Sequence, residues 1–456
     1  MEWIALLLFL TIIVVLLLGF PVAFTLAGTS LIFAFFGIIT GVFEQSFLTA
    51  LPDRIFGIMT NATLLAIPMF IFMGITLEKS KIAENLLESL SEIFLSIKGG
   101  LGITVTLIGM LLAASTGIVG ATVVTMGLIA LPTMLKKGYS VEIATGTICA
   151  SGTLGQIIPP SIVLVMLGDV ISSSYQYAQL SQGNFSPRTV SVGDLFAGAL
   201  IPGLILVALY IMYILITAYI NPKTMPSNKT EKPTKQDFKT ITTALIAPLF
   251  LIFSVLGSIL LGIATPTEAS GIGATGALLI SYARKTLSIK QLSDISQSTL
   301  KITSMVFFIL IGASLFSLVF RGFSGDEMIH DFLINLPGEK ITALLITMIA
   351  IFILGFVLDF IEITFVVVPI VAPILLTMGI DPIWLAIMIA INLQTSFLTP
   401  PFGFALFYLR GVAPKSITTQ QIYKGVIPFI LIQIFMLIIL ALYPDLVTWL
   451  PNYIYS

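Results

Sequence analysis

Charged residues, cysteine and histidine are all scarce in this sequence, and each scarcity removes a class of function. Only 9% of its 456 residues are charged while 57% are hydrophobic, whereas a soluble domain carries about 25% charged residues. A water-exposed globular surface cannot be built from such a chain. The single cysteine, Cys149, sits in an apolar run, which excludes a disulfide framework and a cysteine-based metal cluster. The sole histidine, His330, falls in the polar outer loop Arg321 to Asp331 and reads as solvated, not catalytic. There is no Gly-rich phosphate loop ending in Lys-Ser or Lys-Thr, no His/Cys metal spacing and no nucleophile elbow. Neither an enzymatic reaction, nor a cofactor, nor ATP-driven transport by the chain itself is therefore expected. No basic region precedes the first apolar run and no small-residue cleavage site precedes Pro21, so Met1 to Leu18 reads as a retained helix.

What is present is apolar sequence at membrane scale. A bilayer core takes roughly 20 mostly apolar residues per helix, and Ile4 to Leu18, Ile205 to Ile220, Leu245 to Leu261 and Gly425 to Leu442 fit that scale. The chain is expected to be an all-α polytopic membrane protein with about ten crossings. A net charge of −1 gives no bias towards nucleic acid, so the distribution of charge carries the information. Lys and Arg gather on the cytoplasmic side. With the N-terminus outside, 17 of the 21 basic residues fall in cytoplasmic loops, leaving Arg54, Arg188, Arg321 and Lys340 outside. Trp3, Trp384 and Trp449 then lie at the outer interface, where aromatic belts form.

That count requires the apolar segments 99–135 and 341–377 to enter and leave on the same face, as re-entrant hairpins. Their middles are small or charged: Ala114-Ser115-Thr116-Gly117 and Leu358-Asp359-Phe360-Ile361-Glu362. Non-helical backbone at membrane depth is tolerated only against protein or a wet cavity.

The polar linker 221–240 divides the chain, and its flanks share punctuation. An offset of 241 residues pairs Pro132 with Pro373, Gly138 with Gly379, and Pro159-Pro160 with Pro400-Pro401. An offset of 245 pairs Pro21 and Gly28 with Pro266 and Gly273. Residues 1–220 and 241–456 thus read as two repeats, inverted because one hairpin enters from each side. The first holds a hairpin at 99–135 and a broken helix at 141–168; the second holds a hairpin at 341–377 and a broken helix at 382–410. Inverted repeats give secondary transporters two nearly equivalent packings around a midplane site.

Each break contains adjacent prolines, which remove two backbone donors and clash with the preceding turn. Carbonyls freed there ligate a hard cation, N–H groups starting the second half-helix favour an anion, and neutral side-chain oxygens add ligands. The plainer reading of either motif alone is a proline kink. Asp359 is the candidate cation-site or gate carboxylate, against the alternative of a solvated hairpin tip. Glu268, after the break at Pro266, reads as a helix cap more than an ion ligand. Ser80 to Leu95, with Ile82, Leu86, Leu90 and Ile93 on one face, reads as an amphipathic interfacial arm.

Pro132 to Ser140, Gly155-Gln156-Ile157-Ile158-Pro159-Pro160-Ser161, Ala264 to Ala269, Gly379-Ile380-Asp381-Pro382 and Leu398-Thr399-Pro400-Pro401-Phe402-Gly403 together resemble the large, or M, subunit of tripartite ATP-independent periplasmic (TRAP) transporters. The resemblance spans nearly the whole chain. It implies sodium as coupling ion, an elevator mechanism and a bacterial inner membrane. It also implies two partners, a small four-helix membrane subunit and a periplasmic solute-binding protein; no small-subunit sequence is expected within this chain. By similarity the ion and substrate positions are Ser115, Thr116, Gly117 and Gly120 at the first tip, and Gly152, Thr153, Gly155, Gln156, Pro159, Pro160 and Ser161 at the first break. Their equivalents are Asp359, then Asn392, Gln394, Thr395, Ser396, Thr399, Pro400, Pro401 and Gly403. The first tip departs from the Gly-Ser-Ser of many members, and Gln394-Thr395-Ser396 replaces a Gly-containing run. Gln394 to Pro414 looks most like the branch linked to 2-oxo acids, lactate and related monocarboxylates.

Two other readings stay open on the residues. A stand-alone ion-coupled anion symporter shares hairpins and broken helices but needs no binding protein. A membrane scaffold or uncoupled channel would not need two matched breaks.

Overall fold

A backbone immersed in lipid has no water to satisfy its N–H and C=O groups, so an apolar chain of this kind folds into helices. The computed structural model describes residues 2–80, 94, 97–226 and 235–455, which form helices and connections with no strand among them. The amphipathic stretch 81–93 and the linker centre 227–234 lie outside the described residues. The chain opens with α1 (Glu2–Leu17), α2 (Val22–Ile39), α3 (Leu51–Thr60) and α4 (Ala66–Lys79). After it come α5 (Gly100–Thr116), α6 (Val119–Lys136), α7 (Val141–Thr153), α8 (Ile162–Ser181) and α9 (Val192–Ile220). Past the linker follow α10 (Lys235–Leu260), α11 (Pro266–Ala283), α12 (Ile289–Gly322), α13 (Gly325–Ile334), α14 (Glu339–Leu354) and α15 (Phe360–Thr377). The chain closes with α16 (Pro382–Leu398), α17 (Phe404–Val412), α18 (Thr419–Leu442) and α19 (Asp445–Tyr455).

Among the described residues six helices (α2, α6, α9, α12, α15 and α18) are long and apolar enough to cross a membrane, and four shorter apolar segments accompany them. Large apolar side chains face outward along them, including Phe24 at 70% exposure and Phe250 at 72%. Water would penalise such a surface and lipid does not. The protein is a polytopic, membrane-embedded helical chain.

Two compact units divide it: Met1–Leu65, Met166–Ser191 and Leu300–Ala386 form one, and Ala66–Val165, Val192–Thr299 and Ile387–Ser456 the other. In the first, α1 lies on α2 and α13 on α15, with the Phe43 and Phe323 rings in tilted contact, their centroids 5.0 Å apart. In the second, α7 is enclosed by α5, α6 and α18. A Cβ on Gly146 would meet the Gly425 carbonyl at 2.0 Å, the close approach that small residues allow between membrane helices.

Local geometry recurs at the 241-residue interval. α6 ends through Lys137 and Gly138 (φ +83°), with Tyr139 N donating to Met134 O. α15 ends through Met378 and Gly379 (φ +81°), with Ile380 N donating to Leu375 O. Both are glycine C-caps that satisfy the orphan carbonyls. The next helices start on matched caps: Ser140 Oγ accepts from Ile143 N, and Asp381 Oδ1 from Trp384 N.

Some elements differ from the sequence reading. α8 continues to Ser181 instead of stopping at 168. Its polar residues are satisfied in place, Ser173 Oγ donating to Asp169 O at 3.0 Å and the Asp169 carboxylate accepting from Asn61. His330 sits on the short helix α13, not in a loop, with Nδ1 3.4 Å from Asp331 Oδ1. Residues 235–240 of the linker already belong to α10. Glu268 is a cap: with Thr265 it forms a capping box at the start of α11.

Candidate functional site

At the first break α7 tightens into a 3-10 turn at Leu154–Gln156 and the helix resumes only at Ile162. Two prolines in succession offer no N–H to the preceding turn, so an α-helix cannot pass. The Pro159-Pro160 bond is cis, as is Pro400-Pro401 at the second break. Every residue from Ser151 to Ser161 is buried, so Gly152, Thr153, Gly155, Gln156, Pro159, Pro160 and Ser161 share one interior. Ser161 Oγ donates to Gln156 O at 3.1 Å and Thr153 Oγ1 to Ala150 O at 2.8 Å.

The helical pair α5–α6 packs onto this break. Its two ends meet, since Leu101 N donates to Tyr139 Oη at 3.2 Å. Ser115 and Thr116 close α5, and Gly117 turns the chain at φ +60° with its Cα against Ile162. Gly152 admits α6, for a Cβ there would fall 2.3 Å from Val123 Cγ2. Gly120 in the first turn of α6 lies against the Tyr408 ring.

At the second break α16 ends at Leu398 and α17 begins at Phe404. Asn392, Gln394, Thr395 and Ser396 are buried, while Thr399 and Pro400 are half-buried and Pro401 is exposed. The hydroxyls of Thr395, Ser396 and Thr399 donate to helix carbonyls, that of Thr399 to Thr395 O at 2.7 Å. Gly403 N closes the turn onto Thr399 O.

One contact joins the breaks directly. Gln394 Nε2 donates to Thr153 Oγ1 at 3.3 Å, across 241 residues of chain. Beside it Tyr210 accepts from Gln433 Nε2 at 2.7 Å and its hydroxyl also interacts with Gln394. Sequence reasoning did not single out Tyr210 or Gln433, although polar residues inside long apolar helices were the available signal. Some polar atoms here find no hydrogen-bond partner among the described residues: both amide atoms of Gln156 and the Oε1 atom of Gln433. A buried polar group left unpaired costs about 1–3 kcal/mol.

Asp359 belongs to the other unit, apart from the remaining predicted positions. It is the N-cap of α15, its Oδ1 accepting from Phe360 N at 2.6 Å, while Glu362 Oε2 accepts from Asp359 N at 2.9 Å. Both carboxylates therefore serve a capping box.

The same unit contains a cavity of about 450 Å³ lined by α3, α8, α12 and α15. Arg54, Asn61, Asp169 and Arg321 supply its charged and amide groups. In the sequence Arg54 and Arg321 stood out only in the charge count, because residues this far apart along the chain share no local pattern.

The chain matches, over residues 9–446, the family described as "Tripartite ATP-independent periplasmic transporter, DctM component". It is 31% identical to the C4-dicarboxylate TRAP transporter large permease protein DctM of Vibrio cholerae, covering 98% of this chain and 97% of the relative. It is 29% identical to the ectoine TRAP transporter large permease protein TeaC of Halomonas elongata, with 97% of each covered. It is 26% identical to the sialic acid TRAP transporter large permease protein SiaM of Vibrio cholerae, with 95% of each covered. Among solved structures the fold is similar to the Alcanivorax borkumensis YdaH transporter, at TM-score 0.60 and 14% identity over 89% of each chain. It is also similar to Neisseria gonorrhoeae MtrF, at TM-score 0.57 and 12% identity over 86% of this chain and 82% of that one. At such identities the likeness concerns fold alone. A family match across nearly the whole length, together with full-length relatives, identifies the chain as belonging to the large permease (DctM) subunits of TRAP transporters, a family of transport proteins and not of enzymes.

Proposed function

We propose that the chain is the large membrane subunit of a sodium-coupled importer of small organic acid anions in a bacterial inner membrane, with its N-terminus outside. A periplasmic binding protein delivers the substrate and a small four-helix membrane subunit completes the complex. The relatives are named for C4-dicarboxylates, sialic acid and ectoine, and each of those compounds carries a carboxylate.

The observation that carries the reading is the contact between the breaks. Thr153 and Gln394 occupy equivalent positions of the two proposed repeats, and they touch. Equivalent residues of a pseudo-symmetric pair meet only close to the symmetry axis, where an inverted-repeat carrier keeps its site. The matched C-caps, N-caps and prolyl breaks support the repeat, and the meeting of Leu101 with Tyr139 supports a first hairpin that returns to its own side. No trio of His, Cys, Asp or Glu suited to a metal occurs among the described residues. Neutral amide, hydroxyl and carbonyl oxygens would then hold sodium, which suits a hard, weakly bound cation.

In proteoliposomes containing the full complex, uptake of a labelled acid should require a sodium gradient. Asn392→Ala and Thr399→Ala should raise the sodium concentration for half-maximal uptake several-fold, and Thr275→Ala, on the exposed face of α11, should leave it unchanged. Undiminished uptake without sodium would refute the coupling. For the elevator, spin labels at Leu128 and Phe407, both exposed, should keep their separation while moving on the order of 10 Å relative to one at Met212, since the site must cross much of the hydrocarbon core.

A further inference from the structure

The cavity of the first unit has the size of a small-molecule site, about 450 Å³ within the usual 300–1,000 Å³. Its charges are arranged for an anion. Arg54 is half-buried, has no ion pair or hydrogen bond among the described residues, and lies near enough to Arg321 to be repelled by it. Among the described residues Arg321 is paired with Asp326 alone, Nε to Oδ2 at 3.9 Å, the outer limit of an ion pair. Two guanidiniums facing one space repel each other until a carboxylate comes between them, and each then gains charge-assisted hydrogen bonds.

A third charge sets the rest of the ligand. Asp169 lines the same cavity, and its Oδ1 accepts from Asn61 Nδ2 at 2.8 Å. Asn61 is itself fixed, its Oδ1 accepting from Thr63 N at 2.9 Å. Oδ2 of Asp169 has no donor among the described residues. Two cations and one anion leave the lining at +1. The adjoining cavity of about 390 Å³ adds Asp326, Glu327 and Asp331 beyond Arg321, so a second carboxylate on the ligand meets negative charge in either direction.

We infer that this cavity binds a small monocarboxylate bearing a hydroxyl or similar hydrogen-bond donor, its carboxylate between Arg54 and Arg321 and its donor on Asp169 Oδ2. This names the substrate class of the transport reading and rests on it. A short hydroxy acid satisfies every charged group in the site. A dicarboxylate leaves one carboxylate facing Asp169 and is rejected by like charge.

The test follows alkylation of Ser317→Cys, which lines the cavity, in the full chain in lipid nanodiscs without sodium; the native Cys149 is fully buried. Lactate and glycolate should slow the reaction with a maleimide, chloride at equal ionic strength should not, and succinate should need about tenfold more to match lactate. Arg54→Gln should raise the half-protecting lactate concentration about tenfold or more, Arg54→Lys by less, and Asp169→Asn should narrow the gap between lactate and succinate. Equal protection by succinate, or protection by lactate unchanged in Arg54→Gln, overturns the inference. If Arg54→Gln alters the labelling rate without ligand, Arg54→Lys and Asp169→Asn decide in its place: with Arg54→Lys matching the parent and Asp169→Asn leaving the gap as it was, the site is refuted. Because sodium is absent, protection without sodium-driven uptake keeps this site and refutes only the coupling, while sodium-driven uptake without protection refutes this site alone.

Discussion

Between Thr153 and Ile162 every residue of the first break is buried, whereas the second exposes Pro401 and Phe402, the latter at 50%. The backbone interruption is the same in both and the packing around it is not. Gly117, Gly120 and Gly152 around the first break stand 241 residues before Leu358, Ile361 and Leu393. Glycine lets the α5–α6 pair seat directly on its break. The turn of the second helical pair carries the Asp359–Glu362 capping box.

The difference can be attacked most directly at Gly152. Gly152→Val should overpack the contact with Val123 and destabilise the chain by about 3 kcal/mol, seen as a lower thermal unfolding midpoint in detergent. Leu393→Val at the matched position should cost about 1 kcal/mol. Equal losses would mean that the two breaks are packed alike.

Gln156 and Gln394 come next. The side-chain amide of Gln156 forms no hydrogen bond among the described residues, so Gln156→Leu should leave stability unchanged or improved while raising the sodium requirement of uptake about tenfold, a change of about 1.4 kcal/mol. Gln394→Leu should lower stability by about 1 kcal/mol through loss of the Thr153 contact. An unchanged sodium requirement in Gln156→Leu removes that residue from the proposed ion site.

Asp359 separates capping from ligation. As a cap, Asp359→Asn should be nearly neutral in both stability and sodium requirement, because Asn caps as well as Asp; as a cation ligand it should raise the sodium requirement with stability unchanged. The smallest effects belong to the matched caps. Asp381→Ala should cost about 1 kcal/mol and Ser140→Ala about 0.5 kcal/mol, following their bond lengths of 2.8 and 3.4 Å. Circular dichroism on thermal ramps would rank them.

Much of this was legible before any coordinates. The prolyl pairs located both breaks because a missing N–H is a covalent fact, and Glu268 just after Pro266 read as a helix cap. Other features were not legible. The length of α8 depended on Asn61 satisfying Asp169 from another segment, and a polar run in isolation looks like a helix end. Asp359 looked like a ligand because a carboxylate in an apolar run is expensive, and its partners proved to be its own neighbours in the chain.

The amino-acid sequence by itself determined that the chain lives in lipid, where the two prolyl breaks fall, and that glycines end α6 and α15 at a 241-residue interval, since hydropathy, missing donors and φ preferences act within a few residues. Tertiary structure alone decided which polar atoms go unpartnered at the breaks, and that Arg54, Asp169 and Arg321 line one cavity. Pairing and desolvation depend on distance in space, and distance in space between remote segments is written in no local stretch of the chain.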